Sequence, residues 1–238
     1  MLPSVEPRRR STELNLARYN TDKIAHDYLT VYDPIFAPMV DAPISLLELG
    51  IYRGGSMELW RDYFPHGTIV GIDIDLPHDV ITGDRIHTFQ GDQGDPRFLN
   101  EVAHRVAPHG FDVIIDDASH IAALTLASFW PLFDDHLRPG GLYVIEDWGT
   151  GYWPDWPDGA LATSRNETLL EKIRRRLTKA PAPFRSHEYG MVGLIKQLVD
   201  VQGSADLVRG SYTKPSGPPS KFASMTITSS IVFIRKRL

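Results

Sequence analysis

Short runs of consecutive apolar residues, each followed by a polar turn, dominate the hydrophobic pattern of the chain. Ile44–Leu49 and Thr68–Ile72 are the first two runs, and neither of them alternates apolar with polar residues. Such runs are typical of strands that are covered on both faces, as in a parallel sheet. Segments with helical spacing of apolar residues lie between the runs. This alternation predicts an α/β domain with a mostly parallel sheet.

The same pattern predicts the remaining elements. Further strands are expected at Arg85–Gln90, from Phe111 to Asp116, from Leu142 onward, and within the closing strand or hairpin Ser224–Leu238. Helices are expected at Met57–Phe64, from the Asp95–Pro96 cap through Phe98, Leu99, Val102 and Val106, at Ile121–Leu137, at Glu167–Leu177, and at Glu188–Gln202 with the stripe Val192, Ile195, Leu198 and Val199. Turns are expected at Arg138–Gly141 and Pro215–Ser220.

An N-terminal helix is predicted ahead of the first strand. Asn20, Thr21 or Asp22 could cap it. Pro34 and Pro38 are expected to break it up. Its apolar stripe is formed by Ile24, Tyr28, Val31 and Tyr32.

A glycine-rich turn joins the first strand to its helix. Gly50–Ser56 lacks the second glycine of the dinucleotide fingerprint G-x-G-x-x-G. Glu48 and Asp73 stand at the carboxyl ends of two neighbouring strands, where open α/β sheets bind ligands. A carboxylate at Asp73 can accept both hydroxyls of a ribose, whereas Glu48 would repel a pyrophosphate. The turn therefore favours a cationic nucleoside cofactor without phosphate, a description that S-adenosylmethionine fits.

Acidic residues also follow the fourth and fifth strands. Asp116–His120 is the densest polar cluster of the chain, and Glu146–Asp147 ends the fifth strand. Because these strands lie near the switch point of such a sheet, their carboxylates can converge. Carboxylates that lie close together raise one another's pKa unless a cation neutralises them. Hard oxygen ligands without a thiolate favour magnesium.

Composition narrows the class of protein. The chain of 238 residues has room for one α/β domain with a full core. A net charge of −5 argues against a nucleic-acid binder, and the absence of cysteine excludes disulfides, a thiolate nucleophile and cysteine-ligated zinc. No apolar run reaches the ~18 residues of a membrane span, and no signal-peptide core is seen near the N-terminus. We therefore expect a cytoplasmic enzyme.

Several motifs carry a resemblance to a known family. E-L-G-I-Y-R-G-G-S, D-D-x-S-H, R-P-G-G-L-Y-V-I-E-D and the N-terminal Y-N-T-D-K resemble class I S-adenosylmethionine-dependent methyltransferases. More narrowly, they are similar to the metal-dependent sugar O-methyltransferases of macrolide and related antibiotic pathways. The resemblance covers most of residues 18–160, where Ala118 stands in place of a frequent glycine.

The resemblance implies a fold and its division. We expect a Rossmann-like, seven-stranded, mostly parallel sheet with helices on both faces, an antiparallel last strand and an N-terminal helical cover. Residues 1–238 would form one domain. Residues 1–43 would be the cover, residues 44–150 the cofactor- and metal-binding core, and residues 151–238 a lid segment and C-terminal hairpin.

The resemblance also implies cofactors and residue roles. The cofactors are S-adenosylmethionine and Mg²⁺. Asp117, Glu146 and Asp147 are the implied metal ligands, and His120 is the implied general base. The predicted cofactor-binding residues are Glu48, Gly50, Arg53, Gly54, Ser56, Asp73, Gly91, Asp92 and Asp116. Candidate lid or substrate residues are Tyr28 and Tyr32 in the cover and Tyr152 and Trp153 in the aromatic segment Gly151–Gly159, with simple packing as the alternative for each.

The function implied is methyl transfer to a hydroxyl of a sugar that is attached to a natural product or a nucleotide. A phenolic or catechol acceptor stays open. The broken glycine pattern disfavours a nicotinamide oxidoreductase, and the intact acidic set disfavours a non-catalytic binding subunit with a methyltransferase-like fold. The expected partner is a small sugar-containing molecule, with no nucleic acid and no membrane; a homo-oligomer is left open.

Overall fold

A computed structural model describes residues 8–76, 78, 82–166, 169–170, 173, 177, 186–207 and 219–238. The strands are β1 (Ser45–Leu49), β2 (Thr68–Asp73), β3 (Ile86–Gln90), β4 (Phe111–Asp116), β5 (Leu137–Ile145), β6 (Phe222–Ile227) and β7 (Val232–Lys236). The α-helices are α1 (Asp22–Ala25), α2 (Tyr28–Phe36), α3 (Gly55–Tyr63), α4 (Pro96–Val106), α5 (Ala122–Pro131), α6 (Pro157–Asn166) and α7 (Gly190–Leu207).

Within the described residues, the strands form one seven-stranded sheet in the order β3-β2-β1-β4-β5-β7-β6. β1 pairs in parallel with β2 and β4, and β3 and β5 extend the parallel part on either side. β7 runs antiparallel to both β5 and β6. The expected mostly parallel sheet with an antiparallel last strand is confirmed. The carboxyl ends of β1 to β5 therefore meet at one edge.

Alternation along the strands divides the side chains between two hydrophobic cores. Leu47 and Leu49 of β1 pack on the face that α4, α5 and α7 cover, whereas Leu46 packs on the face that α2 and α3 cover. Because successive side chains of a strand point to opposite faces, Glu48 falls on the same side as Leu46. By the same rule Glu146 shares the side of Val144, a member of the second core. Both glutamates therefore lie beneath the N-terminal helices.

Where the sequence predicted one helix ahead of the first strand, the described part of the N-terminal cover has two short α-helices, α1 and α2. Asp27, between α1 and α2, has a φ of 57°, a left-handed conformation that interrupts the helical path. Thr21 caps α1 by accepting a bond from the Lys23 amide. Pro34 lies inside α2, so the prediction that it breaks the helix was wrong. The cover packs its buried side chains, among them Tyr32 and Phe36, against α3.

The region between β4 and β5 departs most from the prediction. α5 ends at Pro131, and a single π-helical segment continues it to His136. The predicted turn at Arg138–Gly141 is wrong, because these residues belong to β5. Phe111 pairs with Leu137 and Val113 with Leu142, so the extra residues of β5 form a bulge. Gly140 adopts a φ of 75° there, and Arg138 pairs with Asp112 at 2.7 Å.

Two of the predicted elements fall largely on residues that the structure does not describe. The predicted helix Glu167–Leu177 and turn Pro215–Ser220 lie mostly outside the described residues. The helix predicted at Glu188–Gln202 is confirmed as α7, although its Val199 is exposed rather than part of the buried stripe. Among the described helices, none has the length and apolar character needed to cross a membrane.

Candidate active site

Two adjoining cavities lie at the carboxyl edge of the sheet. The first has a volume of about 600 Å³ and the second of about 520 Å³. Gly50, Tyr52, Asp117 and Ala118 line both. The first cavity is also lined by Arg53, Asp73, Gly91, Asp92 and Gln93, and the second by Asn20, Thr21, Asp22, Ser56 and His120. Each is of a size that holds a small molecule, so the edge can accommodate two ligands side by side.

The glycine-rich turn forms the floor between the cavities. Gly50 has a φ of 93°, and a Cβ there would collide with the backbone carbonyl of Asp117. The backbone amides of Ile51 and Tyr52 donate to Asp73 Oδ2 at 2.7 and 2.9 Å. Asp73 therefore holds the turn in place while it lines the first cavity, and no larger residue than glycine fits at position 50.

Three non-glycine residues at this edge have a left-handed backbone. They are Tyr52 with a φ of 49°, His120 with 51° and Asp147 with 53°. Such conformations are sparsely populated by non-glycine residues and cluster at functional sites, where the surrounding structure holds them. Here they set the directions of His120 and Asp147 just past the ends of β4 and β5.

Two carboxylates and one imidazole converge at the mouth of the second cavity. One ligand atom each from Asp117, His120 and Asp147 lies within 4.8 Å of the other two. His120 Nε2 is 3.9 Å from both Asp117 Oδ1 and Asp147 Oδ2. The Tyr28 hydroxyl donates to Asp147 Oδ1. Carboxylate oxygens with an imidazole are a donor set that fits a divalent cation.

Behind this group lies a lysine that sequence reasoning missed. Lys23 is fully buried, and its Nζ donates to Asp117 Oδ2 at 2.5 Å and to Glu146 Oε2 at 2.8 Å. Glu48 Oε1 is 3.3 Å from the same nitrogen. Burial opposes the charge on Lys23, but the carboxylates of Asp117, Glu146 and Glu48 outweigh it and raise the pKa of Lys23 well above its usual value.

The single positive charge of Lys23 does not neutralise all of the carboxylates around it. Burial raises the pKa of Glu48, Asp117 and Glu146, and the attraction of Lys23 only partly offsets this rise. Repulsion between Asp117 and Glu146 adds to this effect. These acids therefore bind a proton more readily than they would in water.

Of the predicted metal ligands, the structure brings Asp117 and Asp147 together and leaves Glu146 apart. Glu146 lies outside the close group with His120, where Lys23 and the Tyr32 hydroxyl donate to its two oxygens. The reason is that Glu146 continues the alternation of β5 onto the covered face. Tyr32 is fully buried and does not border either cavity.

Asp116, a predicted cofactor-binding residue, is buried and lines neither cavity. It lies on the opposite face of the sheet from Glu48, where it accepts bonds from Gln93 Nε2 and Ser128 Oγ at 3.2 Å each. Burial raises its pKa. The acid that reaches the cavities is the next residue, Asp117, which comes after the strand has ended. Successive side chains along a strand point to opposite faces, which explains why Asp116 faces away from the cavities.

Glu48 lies beneath the turn rather than in either cavity. Its Oε1 accepts a bond from Trp60 Nε1 at 3.2 Å. Its Oε2 has no partner at good hydrogen-bonding geometry, although the Ser56 hydroxyl is near enough to lower the pKa of Glu48. The cation that Glu48 meets in the structure is Lys23.

The aromatic segment after β5 contributes through a residue that was not predicted. Tyr152 packs against Trp148 and His187, while Trp153 is 52% exposed, and neither lines the two cavities. Trp156 instead lies beside His120, with ring centroids 5.8 Å apart. The sequence carried a signal for it only as one of several aromatics in a Pro-rich stretch.

Comparison with known proteins places this geometry in context. No family model matches the chain. It is 34% identical over 229 residues to mycinamicin VI 2''-O-methyltransferase of Micromonospora griseorubida, covering 92% of this chain and 51% of the relative. It is 39% identical over 183 residues to 8-demethyl-8-(2-methoxy-alpha-L-rhamnosyl)-tetracenomycin-C 3'-O-methyltransferase of Streptomyces olivaceus, covering 70% and 46%. The chain is a homologue of the sugar O-methyltransferases of antibiotic pathways.

Solved structures of one such O-methyltransferase share its fold. MycE methyltransferase from the mycinamycin biosynthetic pathway, in complex with Mg and SAH, has a TM-score of 0.71 at 33% identity. That match covers 97% of this chain and 55% of MycE. The complex of MycE with Mg, SAH and mycinamycin VI has a TM-score of 0.68 at 32% identity, covering 98% and 55%. The chain thus spans about half the length of the relatives that it matches, and the expected methyltransferase fold is confirmed.

We predict that Gly50→Ala destabilises this methyltransferase homologue. The substitution forces a side chain into the Asp117 carbonyl at a left-handed φ, at a cost of about 1–3 kcal/mol. The melting temperature should therefore fall by several degrees in a calorimetric scan. Gly83→Ala is the matched control, because its Cβ meets nothing within 4 Å. Equal melting temperatures for the two variants would contradict the role assigned to Gly50.

Proposed function

We propose that this chain carries an O-methyltransferase that moves the methyl group of S-adenosylmethionine to a hydroxyl of a sugar on a natural product. Mg²⁺ is the second cofactor and His120 the general base. The observation that carries the proposal is the group of Asp117, His120 and Asp147 beside the second cavity, which Asp117 and His120 line. It occurs in a homologue of enzymes whose names specify methylation of sugar hydroxyls.

The first cavity suits the nucleoside half of S-adenosylmethionine. Asp73 stands at the end of β2, where a carboxylate can accept the ribose hydroxyls, and Gly91 and Asp92 follow β3 on the adenine side. The acids in and beneath this edge attract a cationic ligand and repel a pyrophosphate. This electrostatic character supports S-adenosylmethionine over a nicotinamide dinucleotide.

The group at the second cavity fits a hard divalent cation. Asp117 and Asp147 would hold it through carboxylate oxygens, and Glu146 is a third candidate that would have to exchange Lys23 or Tyr32 for the ion. When bound, Mg²⁺ would supply Lewis-acid polarisation of the acceptor hydroxyl. Three carboxylates meet the single ammonium of Lys23, and this excess of negative charge supports the assignment.

His120 is placed to take the proton of the acceptor. Its Nε2 faces the carboxylates of Asp117 and Asp147, which would stabilise the imidazolium that forms. The left-handed backbone of His120 and the neighbouring Trp156 ring fix the direction of the imidazole. Transfer of the hydroxyl proton to this nitrogen raises the nucleophilicity of the sugar oxygen. Without a base, the hydroxyl is too weakly acidic to lose its proton at neutral pH.

The N-terminal cover forms one wall of the second cavity. Asn20, Thr21 and Asp22 line it, and the Asn20 carbonyl comes so close that a Cβ on Gly55 would collide with it. The cover thus borders the space proposed for the acceptor in addition to packing on the sheet.

A panel of acceptors tests the proposed function. The protein is incubated with S-adenosylmethionine, Mg²⁺ and either a macrolide glycoside, a nucleotide sugar or a catechol, and methylated products are identified by mass spectrometry. We expect methylation of a sugar hydroxyl in the glycoside or the nucleotide sugar. Methylation of the catechol alone would favour the phenolic alternative. No turnover with any acceptor class would count against the chain as an enzyme of this kind.

We predict that turnover requires a divalent cation. EDTA should abolish it and Mg²⁺ should restore it, because the acceptor then regains the Lewis acid. Asp147→Asn should reduce turnover while leaving the melting temperature almost unchanged, since Asp147 lies past the strand end and is partly exposed. Full activity in chelator would move the protein to the metal-independent methyltransferases.

We predict that His120→Ala lowers kcat by about 10²–10⁴-fold, the usual contribution of a general base. Calorimetry should show that S-adenosylhomocysteine and Mg²⁺ still bind. His66→Ala, at an exposed position away from the cavities, is the control and should leave kcat unchanged. A loss below about ten-fold would assign the proton to another acceptor.

We predict that Asp73→Ala weakens S-adenosylhomocysteine binding by about ten-fold to a thousand-fold, since each charge-assisted hydrogen bond contributes about 1.5–3 kcal/mol. Asp73 also holds the turn, so the 2'-deoxyribose analogue of the ligand serves as a control. If Asp73 binds the ribose, the substitution should cost the analogue less affinity than it costs the parent ligand. Equal losses would mean that Asp73 acts only on the turn.

A further inference from the structure

The proposed chemistry leaves one charged residue of the site without a task. Lys23 has no exposed surface, yet its Nζ meets three acids that follow different strands of the sheet. They are Glu48 on β1, Asp117 after β4 and Glu146 after β5. A buried lysine costs free energy unless it is paired, so its place at the centre of these acids calls for an explanation.

The local backbone delivers Lys23 to this place. Thr21 caps α1 through the Lys23 amide, which fixes the first turn of that short helix. The absence of a side chain on Gly55 lets the Asn20 backbone approach α3 closely. The Lys23 side chain therefore reaches the acids from the cover, and not from the sheet that carries them.

The two carboxylate oxygens of Asp117 face different partners. Asp117 Oδ2 accepts the bond from Lys23 at 2.5 Å, whereas Oδ1 faces His120 Nε2. A cation held by Asp117 and Asp147 would thus share one carboxylate with an ammonium. Two positive groups on one carboxylate repel each other, and burial leaves that repulsion weakly screened.

We propose that Lys23 is a positioning residue that orients Asp117 toward His120 and competes with the divalent cation for that carboxylate, so that the site binds the cation weakly and reversibly. This inference rests on the proposed function for the presence of a cation at Asp117 and Asp147. It adds that the affinity for the cation is set by a residue of the cover.

The test is a calorimetric titration with MgCl₂, without S-adenosylmethionine, of the wild type and of Lys23→Met. The variant keeps an unbranched apolar side chain, one atom shorter than that of lysine, and removes its charge. We expect at least about ten-fold tighter Mg²⁺ binding, because a unit charge close to the ion is removed. The melting temperature without Mg²⁺ should fall, and the increase on adding Mg²⁺ should exceed that of the wild type.

Lys196→Met is the matched control. Lys196 Nζ bonds to Ser186 Oγ and to the His187 carbonyl, and it belongs to α7, which covers the face of the sheet opposite to the N-terminal cover. This substitution should leave the affinity for Mg²⁺ unchanged. Unchanged or weaker Mg²⁺ binding by a folded Lys23→Met variant would overturn the inference.

A charge-matched double variant separates local competition from overall charge and protects against misfolding. Lys23→Met with Glu48→Gln removes one positive and one negative group from the buried cluster. If Lys23 competes for Asp117 itself, the double variant still binds Mg²⁺ more tightly than the wild type. Wild-type affinity in the double variant would show that only net charge matters, and would overturn the inference.

The outcomes also separate this inference from the proposed function. If the wild type binds Mg²⁺ and neither Lys23→Met nor the double variant binds it more tightly, the role of Lys23 is refuted and the metal site is not. No Mg²⁺ binding by the wild type or by either lysine variant would refute the metal site and the inference together. Binding by the lysine variants only would support strong competition by Lys23.

Discussion

The structure depends on how one buried ammonium is surrounded by buried carboxylates. Lys23 meets Glu48, Asp117 and Glu146, and the desolvation of so many charges is unfavourable unless they are paired. An ordinary helix–sheet interface would replace such a cluster with apolar groups. We therefore interpret the cluster at the carboxyl edge of the sheet as a functional feature that lowers the stability of the fold. The packing of the two hydrophobic cores around it offsets that loss.

The cluster makes the cover and the site interdependent. Lys23, Tyr28 and Tyr32, all from the N-terminal segment, bond to acids that follow β4 and β5. The same segment buries Tyr32 and Phe36 against Trp60 of α3. Apolar packing thus holds the cover on the sheet, and the polar contacts set its register. A change in the charge of these acids therefore changes the polar contacts that hold the cover.

Much of the fold followed from local pattern, because apolar runs, glycine turns and helix caps are encoded in neighbouring residues. The strand-end acids followed as well, since parallel strands bring their carboxyl ends to one edge. The place of Asp116 shows the limit, because the side that a residue faces depends on where its strand stops. The bulge of β5 was hidden for a similar reason, because R-P-G-G is as typical of a turn as of an irregular strand.

Lys23 ends the motif Y-N-T-D-K, but its burial could not be predicted from the pattern. Lysines are almost never fully buried, and a Lys in a short N-terminal helix is expected in solvent. Its pairing joins residues 94 and 123 positions apart in the chain. Only the topology shows that these acids share the space into which α1 projects. Electrostatic pairing between residues that are distant in the sequence is thus the part of the site that local sequence patterns do not predict.

Charge conservation links the cluster to the proposed chemistry. If ionised, Glu48, Asp117, Glu146 and Asp147 bring four negative charges, and Lys23 returns one positive charge. A divalent cation adds two, and S-adenosylmethionine, with its ammonium, sulfonium and carboxylate, adds a net one, so the proposed complex is balanced. Methyl transfer removes the sulfonium charge from the site. A proton accepted by His120 restores that charge beside Asp117 and Asp147, so a base inside the cluster keeps the buried acids compensated throughout the reaction.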